Sequence, residues 1–374
     1  MSKILIDARD MRSSTGRYIR SLLMELERLD RTNQYVILGR RADVDARDQH
    51  SWRPKAPNFN LVVVDIPLNT FREQLLLAAE IRKHSPDLVH FWLPQQPLFL
   101  KHSRITTIHD LNYIHLHIHT NGILRYELKR LIFRGFLKHV VRSNKFILSP
   151  TNYTKQDIVD YTKLRNPEKI VVTPEGTAGE LANVKPKHIN QLNGKEFLLY
   201  VGQSSEYKGQ LRLIEALQLL RKKLPRLELA LIGKENDYTQ KLKKIVAKQN
   251  YHGVRFLGFV DDRELRWAYE NCACYVQPSI AEGFGLMNLE AMFLGAPVAS
   301  SNATCLPEVS GSAANYFNPY DIGDMAQAIE QILSDPKLRK KLILEGKKQY
   351  KKFSWERMAE QTLAVYNKVL DEKN

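Results

Sequence analysis

The feature that most constrains this chain is an alternation, repeated along most of its length, of short apolar runs with longer amphipathic ones. A short continuous apolar run suits a strand buried on both faces, and the amphipathic segment after it suits a helix that covers the sheet. That is the βα unit of a parallel sheet. In the first half the apolar runs lie at 3–8, 35–38, 61–66, 88–92, 105–109, 146–149 and 170–173, with helical patterns around 17–30, 71–84, 122–142 and 153–161. A polar, turn-rich passage at 177–194 has little periodicity and is read as holding the linker. The alternation then restarts, with strands at 197–202, 228–232, 254–257, 274–277 and 297–300 and helices near 209–223, 236–249, 262–270 and 287–295. The C-terminal segment is helical and charged. Neither half shows a fixed-period repeat, so the pattern predicts two doubly wound α/β domains and not a solenoid. The chain has 374 residues, enough for two cores. Ligands of such sheets sit at the C-terminal ends of the strands, and the expected site is the cleft between the domains.

Composition narrows the partners. No stretch approaches the roughly eighteen consecutive apolar residues of a membrane span. The opening residues read as a first strand and not as a signal peptide. Cys272, Cys274 and Cys305 lack CxxC spacing, which argues against a disulfide framework or a zinc ribbon and fits a reducing cytoplasm. The net charge is +15, and residues 1–180 carry 28 Lys+Arg against 19 Asp+Glu, the remainder 28 against 22. The excess is thus somewhat concentrated in the first half. Charge alone leaves nucleic acid, anionic lipid and phosphorylated small molecules open. No nucleic-acid-reading motif accompanies it, so no nucleic-acid partner is expected.

Residues 281–297 read AEGFGLMNLEAMFLGAP, a glycine-containing loop running from a strand into a helix. Gly283 and Gly285 let the backbone approach a ligand, and the free N–H groups at the helix start make an anion site. Glu282 lies in the loop and Glu290 is expected two turns into the helix, facing the cleft with it. Two carboxylates flanking an anion site suit hydroxyl-rich groups on either side of a diphosphate, as in a nucleotide sugar. For this segment alone, a plain strand–helix turn with Glu290 on a solvated face is the competing reading. A dinucleotide fingerprint fails because Asn288 stands where its third glycine belongs. Residues 200–209, YVGQSSEYKG, give a strand, a tight loop through Gly202 and Gln203, and Lys208 at a helix start, a compact cation suited to a diphosphate leaving group. Residues 105–111, ITTIHDL, put His109 and Asp110 at a strand end, Asp110 being better placed to cap a turn. Between the first strand and first helix, Ser14 and Thr15 precede Gly16, and Arg17 either stays near phosphates or faces solvent.

The segment 281–297 resembles the E-x7-E signature of glycosyltransferase family 4. Ser301-Asn302, Leu306-Pro307-Glu308-Val309, Gly311-Ser312-Ala313-Ala314, Tyr316-Phe317-Asn318-Pro319 and Phe353-Ser354-Trp355 resemble the same family in the same order. The likeness covers essentially the whole chain and is nearest to bacterial mannosyltransferase-like members. It implies the GT-B fold, two doubly wound Rossmann-like domains facing each other across a cleft. It also implies a retaining reaction with no required metal and no cofactor, the donor being a nucleoside-diphosphate sugar. On this resemblance Glu282 holds the donor hexose, while Phe284, Gly285 and Leu286 offer backbone N–H groups and Glu290 binds the ribose. Lys208 holds the phosphates beside Gly202, with Gln203 standing where the family often has an arginine. His109 contacts the sugar near the reacting carbon, and Gly16 is what remains of a Gly-x-Gly loop that approaches the donor phosphate. The catalytic set is His109, Lys208 and Glu282. The base pocket is placed near Phe259 and Val260. The implied domains are 1–180 on the acceptor side, a linker at 181–193, a nucleotide-sugar domain at 194–355 and a helix at 356–374 packing back on the first domain. The implied acceptor is a saccharide or lipid-linked saccharide, the favoured hexose mannose-like, and the setting surface-polysaccharide assembly. The alternative is a nucleotide-sugar-binding protein of this fold with little transfer activity.

Three other signals carry less. His115, His117 and His119 alternate, but a hydrated loop is the simpler account than a metal site. Asp43-Val44-Asp45 lies in a polar run with no strand ending there, which makes it a solvated loop. In 121–145, Arg130, Arg134, Lys138 and Arg142 recur every four residues as a basic stripe, with Leu124, Leu128, Leu131, Ile132, Phe136, Leu137, Val140 and Val141 as the apolar side. Such a helix either packs on the core with a solvated basic face or lies on an anionic membrane surface, which would put the protein in the cytoplasm, peripheral at the inner face of the membrane.

Overall fold

The computed structural model describes residues 1–12, 15–44, 52–68, 70–116, 123–177 and 179–372; Ser14, Asp45, His117 and His119 lie outside them. The chain forms two compact units, one of Met1–Gly176 with Ser354–Asn374, the other of Thr177–Phe353.

The first unit is built on a sheet of β1 (Lys3–Asp7), β2 (Gln34–Gly39), β3 (Phe59–Val63), β4 (Leu88–Phe91), β5 (Ser103–Thr107), β6 (Phe146–Ser149) and β7 (Ile170–Val172). Their spatial order is β3-β2-β1-β4-β5-β6-β7, every neighbouring pair parallel. Side-chain alternation divides the strands between two faces. Ile4 and Ile6 of β1 pack with Ile19, Leu22 and Leu26 of the helix Gly16–Leu29. Leu5 packs on the other face with Leu77, Ala78 and Ile81 of the helix Phe71–His84. Thr70 starts that second helix by accepting the Glu73 N–H at 3.2 Å. The last helix, Trp355–Asp371, belongs to this unit and buries Met358, Ala359, Val365, Tyr366, Val369 and Leu370 beside Ile4 and Leu22.

The second unit holds β8 (Phe197–Val201), β9 (Glu228–Ile232), β10 (Val254–Gly258), β11 (Cys274–Gln277), β12 (Val298–Ser301) and β13 (Ala314–Phe317). The order is β10-β9-β8-β11-β12-β13, again all parallel. Phe197, Leu199 and Val201 face one core, Leu198 and Tyr200 the other. β13 reads Ala314-Asn315-Tyr316-Phe317 with its two middle residues only half-buried, so no continuous apolar run marks it in the sequence. The passage read as a linker is packed: Leu181, Ile189 and Leu192 are buried in the core of this unit with Phe197, Tyr269 and Leu289. Irregular spacing hid those three residues from a periodicity argument, and the division between units falls after Gly176. On either side of β8 the strand order reverses, β9 lying to one side and β11 to the other. The loops leaving β8 and β11 therefore diverge and open a crevice at their C-terminal ends.

Candidate functional site

Both loops at the reversal in the second unit carry residues expected from the sequence. The loop after β11 turns at Gly285, where φ is +92° and a Cβ would stand 2.6 Å from Leu306 Cδ2. Only glycine suits that backbone, and Gly285 caps the helix Leu286–Phe293. Among the described residues no backbone partner takes the N–H groups of Phe284, Gly285 and Leu286. The Phe284 ring is buried and edge-on to Phe353, 5.6 Å between centroids. It anchors the loop and leaves those donors for an anion.

Glu282 is held from several directions. Lys208 Nζ, from the loop after β8, donates to both carboxylate oxygens at 2.7 and 2.8 Å. Gln277 Nε2 donates to Oε1 at 2.7 Å and to Ser279 Oγ at 2.9 Å, and the Tyr275 hydroxyl fixes the other end of that amide. The Glu282 N–H donates to Thr304 Oγ1 at 3.1 Å, and the Cys305 thiol donates to the Glu282 carbonyl at 3.1 Å. Thr304 has φ +53°, a costly conformation for a β-branched residue, kept here by its surroundings. Burial works against the Lys208 charge, but the Glu282 carboxylate outweighs it and holds the ammonium above its ordinary pKa. Burial, with the charges of Glu282 and Glu290 nearby, pushes the Tyr275 hydroxyl well above its usual value.

Glu290 differs from the expectation. It lies one turn into its helix, not two, and is fully buried, accepting from the Tyr269 hydroxyl at 3.1 Å. The cause is a helix buried on several sides: Asn288, Leu289, Ala291 and Met292 are also covered, and Asn288 Nδ2 donates to Ser300 and Ser310. Gly202 follows directly on β8, Gln203 is exposed, and Gln203 contributes its carbonyl to Gln210. Phe259 is 72% exposed, and Val260 packs against the core. The structure thus unites Lys208 and Glu282 and leaves Gln203 and Phe259 at the surface. Gln277, Thr304 and Cys305 were invisible as site residues, because nothing in their local pattern says that they brace Glu282.

In the first unit, Gly16 begins its helix so close to the preceding loop that a Cβ would stand 1.9 Å from the Met11 carbonyl oxygen. Arg17 is half-buried. His109 follows β5, and its Nδ1 lies 3.1 Å from Glu175 Oε1. Tyr18 meets the imidazole edge-on at 4.7 Å and Trp92 at 6.4 Å. The Tyr18 hydroxyl pairs with Thr107 Oγ1 at 3.0 Å; Thr107 pairs with His90 Nε2 at 2.9 Å, and His90 Nδ1 with the Tyr366 hydroxyl at 2.6 Å. Burial, aided by nearby His109, pulls the His90 pKa down to about 3, so this ring is neutral. Asp110 accepts the Asn112 N–H at 2.8 Å, the turn cap its position suggested. His115 pairs with Asp157 at 2.8 Å.

The helix Ile123–Ser143 reverses part of the sequence reading. Arg130 turns inward, donating to the Ile114 carbonyl at 2.8 Å and to Glu127, and Arg134 is half-buried. Lys138 and Arg142 remain exposed. Leu137, Val140 and Val141 are buried, but Leu128, Leu131 and Ile132 are 59%, 63% and 64% exposed. Leu137 and Val141 pack with Ile147 of β6 and Ile170 of β7, whereas Leu128, Leu131 and Ile132 face outward. Among the described residues no helix is long and apolar enough to cross a membrane.

Two family models match the chain: "Glycosyltransferase Family 4" over residues 15–178 and "Glycosyl transferases group 1" over 184–349. O-antigen chain mannosyltransferase B of Escherichia coli is 30% identical over 296 residues, covering 76% of this chain and 73% of that protein. Among solved structures, sucrose-phosphate synthase of Thermosynechococcus elongatus aligns over 100% of both chains with a TM-score of 0.80 at 20% identity. Anabaena HepE, in complex with UDP and glucose, aligns over 98% of this chain and 100% of its own with a TM-score of 0.73 at 18% identity. These likenesses identify the fold as GT-B.

Proposed function

The chain belongs to glycosyltransferase family 4, and on that premise we propose that it transfers a hexosyl group, mannose-like by preference, from a nucleoside-diphosphate sugar to a saccharide or lipid-linked saccharide with retention at the anomeric carbon. The observation that carries this reading is the meeting of Lys208 and Glu282 beside the donors of residues 284–286, at the strand-order reversal of the second unit. Without donor, cation and carboxylate neutralise each other. With donor bound, Lys208 and the helix-start N–H groups hold the departing diphosphate, and Glu282 accepts hydrogen bonds from sugar hydroxyls. His109 serves the transferred sugar. No protein nucleophile is invoked: the leaving phosphate acts as the base for attack on the same face. No metal or cofactor enters the scheme. The 30% identity to an O-antigen chain mannosyltransferase supports mannose and a surface-polysaccharide setting.

The donor site is tested by thermal shift with GDP, UDP and ADP and their sugars. A nucleotide at a hundred times its Kd stabilises by about 2.7 kcal/mol, a rise of several degrees. Glu290→Ala, which removes the ribose acceptor, should abolish the response while the protein stays folded. NMR of the first product formed should show the anomeric configuration of the donor. If no nucleotide moves the melting curve and no sugar is transferred, the binding-protein alternative also falls.

The lipid-linked acceptor draws on the outward Leu128, Leu131 and Ile132 beside exposed Lys138 and Arg142. Apolar side chains flanked by cations suit an anionic bilayer at the inner face of the membrane. Lys138→Gln with Arg142→Gln should weaken binding to phosphatidylglycerol vesicles by about tenfold or more. Equal binding to phosphatidylcholine vesicles, or none to either, would remove the membrane from the scheme.

A further inference from the structure

We propose that Glu175 is a positioning residue for His109, fixing which imidazole nitrogen carries the proton; the inference rests on the reading that His109 serves the transferred sugar. The two side chains are 10% and 13% exposed, with His109 Nδ1 3.1 Å from Glu175 Oε1. A carboxylate only accepts, so Nδ1 carries a proton, and in the neutral ring the lone pair is left on Nε2. His109 Nε2 is buried and has no hydrogen-bond partner in the protein. A buried polar atom left unmatched is uncommon and marks a place completed by something else. The chemistry that completes it is a hydroxyl donor, the group a hexose presents in number.

The rest of the pocket holds the ring rather than competing for it. Tyr18 sits edge-on at 4.7 Å and spends its hydroxyl on Thr107; Trp92 closes another side. Burial, with the Glu175 charge nearby, keeps the Tyr18 hydroxyl protonated far above its usual range, so it does not exchange roles with the imidazole. The His109 carbonyl accepts from Thr154 Oγ1 at 3.4 Å, which steadies the backbone. Glu175 is the group that decides the ring's proton. It lies three residues past β7 in a stretch, Thr173-Pro174-Glu175-Gly176, with no motif that would have drawn attention to it.

The experiment combines NMR of selectively 15N-histidine-labelled protein with steady-state kinetics on Glu175→Ala, Glu175→Gln and His109→Asn, the last also assigning the resonance. Wild type should show His109 protonated at Nδ1 and bare at Nε2. Glu175→Ala should shift that signature toward the other tautomer. It should lower kcat on the order of ten- to hundredfold with little change in donor KM. Glu175→Gln, whose carbonyl still accepts the Nδ1 proton, should recover most of the loss. In the His109→Asn background Glu175→Ala should cost nothing further. Should the alanine variant lose its fold, Glu175→Leu fills a similar volume and serves the same comparison. An unchanged tautomer, or losses that multiply independently of His109, would overturn the proposal. A tautomer shift on Glu175→Ala, found together with a wild type that transfers no sugar, would support Glu175 as the positioning residue and sink the hexosyl-transfer reading instead.

Discussion

Lys208→Ala is expected to lower kcat by about 10²–10³-fold, the range measured when one preorganised donor to a developing oxyanion is removed. The departing diphosphate gains charge as the glycosidic bond breaks, and a cation already in place stabilises it more than water that must reorganise. The exposed Gln203 leaves Lys208 as the side-chain cation this loop supplies next to the helix-start donors. Glu282→Gln keeps the shape and tests the other half: it can still accept from sugar hydroxyls but no longer balances Lys208. It should therefore cost less than Glu282→Ala. The double variant Lys208→Ala with Glu282→Ala should lose much less than the product of the two single losses, because the residues act as a unit. Initial rates with saturating donor, alongside circular dichroism to establish folding, decide the matter. Loss of stability with unchanged kcat would make the pair structural.

Arg9→Ala is expected to destabilise the first unit by about 3–5 kcal/mol, the usual cost of leaving buried charge uncompensated. Arg9 is almost fully buried just past β1. Its Nε and Nη2 donate to the two Asp7 oxygens at 2.8 Å each, and Nη2 also donates to Glu73 at 2.7 Å. Burial opposes the guanidinium charge, and the two carboxylates outweigh it and hold its pKa up. Removing the arginine leaves two buried carboxylates at the C-terminal end of β1. Trp52, Trp92 and Trp355 lie in this unit and Trp267 in the other, so urea unfolding followed by tryptophan fluorescence in a Trp267→Phe background reads it selectively. Changing Asp7 to Asn and Glu73 to Gln in the same chain should return part of the loss. A change below about 1 kcal/mol would mean that water reaches the carboxylates and the triad is not closed.

Much of the fold was legible because burial leaves a periodic mark. Strands such as Phe197–Val201 are apolar throughout, since both faces are covered, and the helices between them are one-sided. Where the mark is broken or irregular it fails: half-buried Asn315 and Tyr316 interrupt the apolar run of β13, and Leu181, Ile189 and Leu192 follow no period. The helix Ile123–Ser143 shows the converse. Its pattern is amphipathic, but a pattern does not say which stretch of the apolar side is covered, and Leu128, Leu131 and Ile132 point outward.

The sequence by itself determined the two parallel-sheet units, the glycine-turned loop into the helix at Leu286, and the presence of Lys208, Glu282 and His109 at strand ends. These follow from local spacing and from where ligands sit in such sheets. Only the tertiary structure decided the partners. Lys208 and Glu282 are 74 positions apart and meet because β8 and β11 are neighbours at the reversal of strand order. His109 and Glu175 are 66 apart, brought together by loops that follow β5 and β7. Glu290, eight residues from Glu282, is fully buried and takes its hydrogen bond from Tyr269, 21 positions away. Periodicity encodes which side of an element is covered; it carries no information about which distant side chain does the covering, because that is set by strand order and packing.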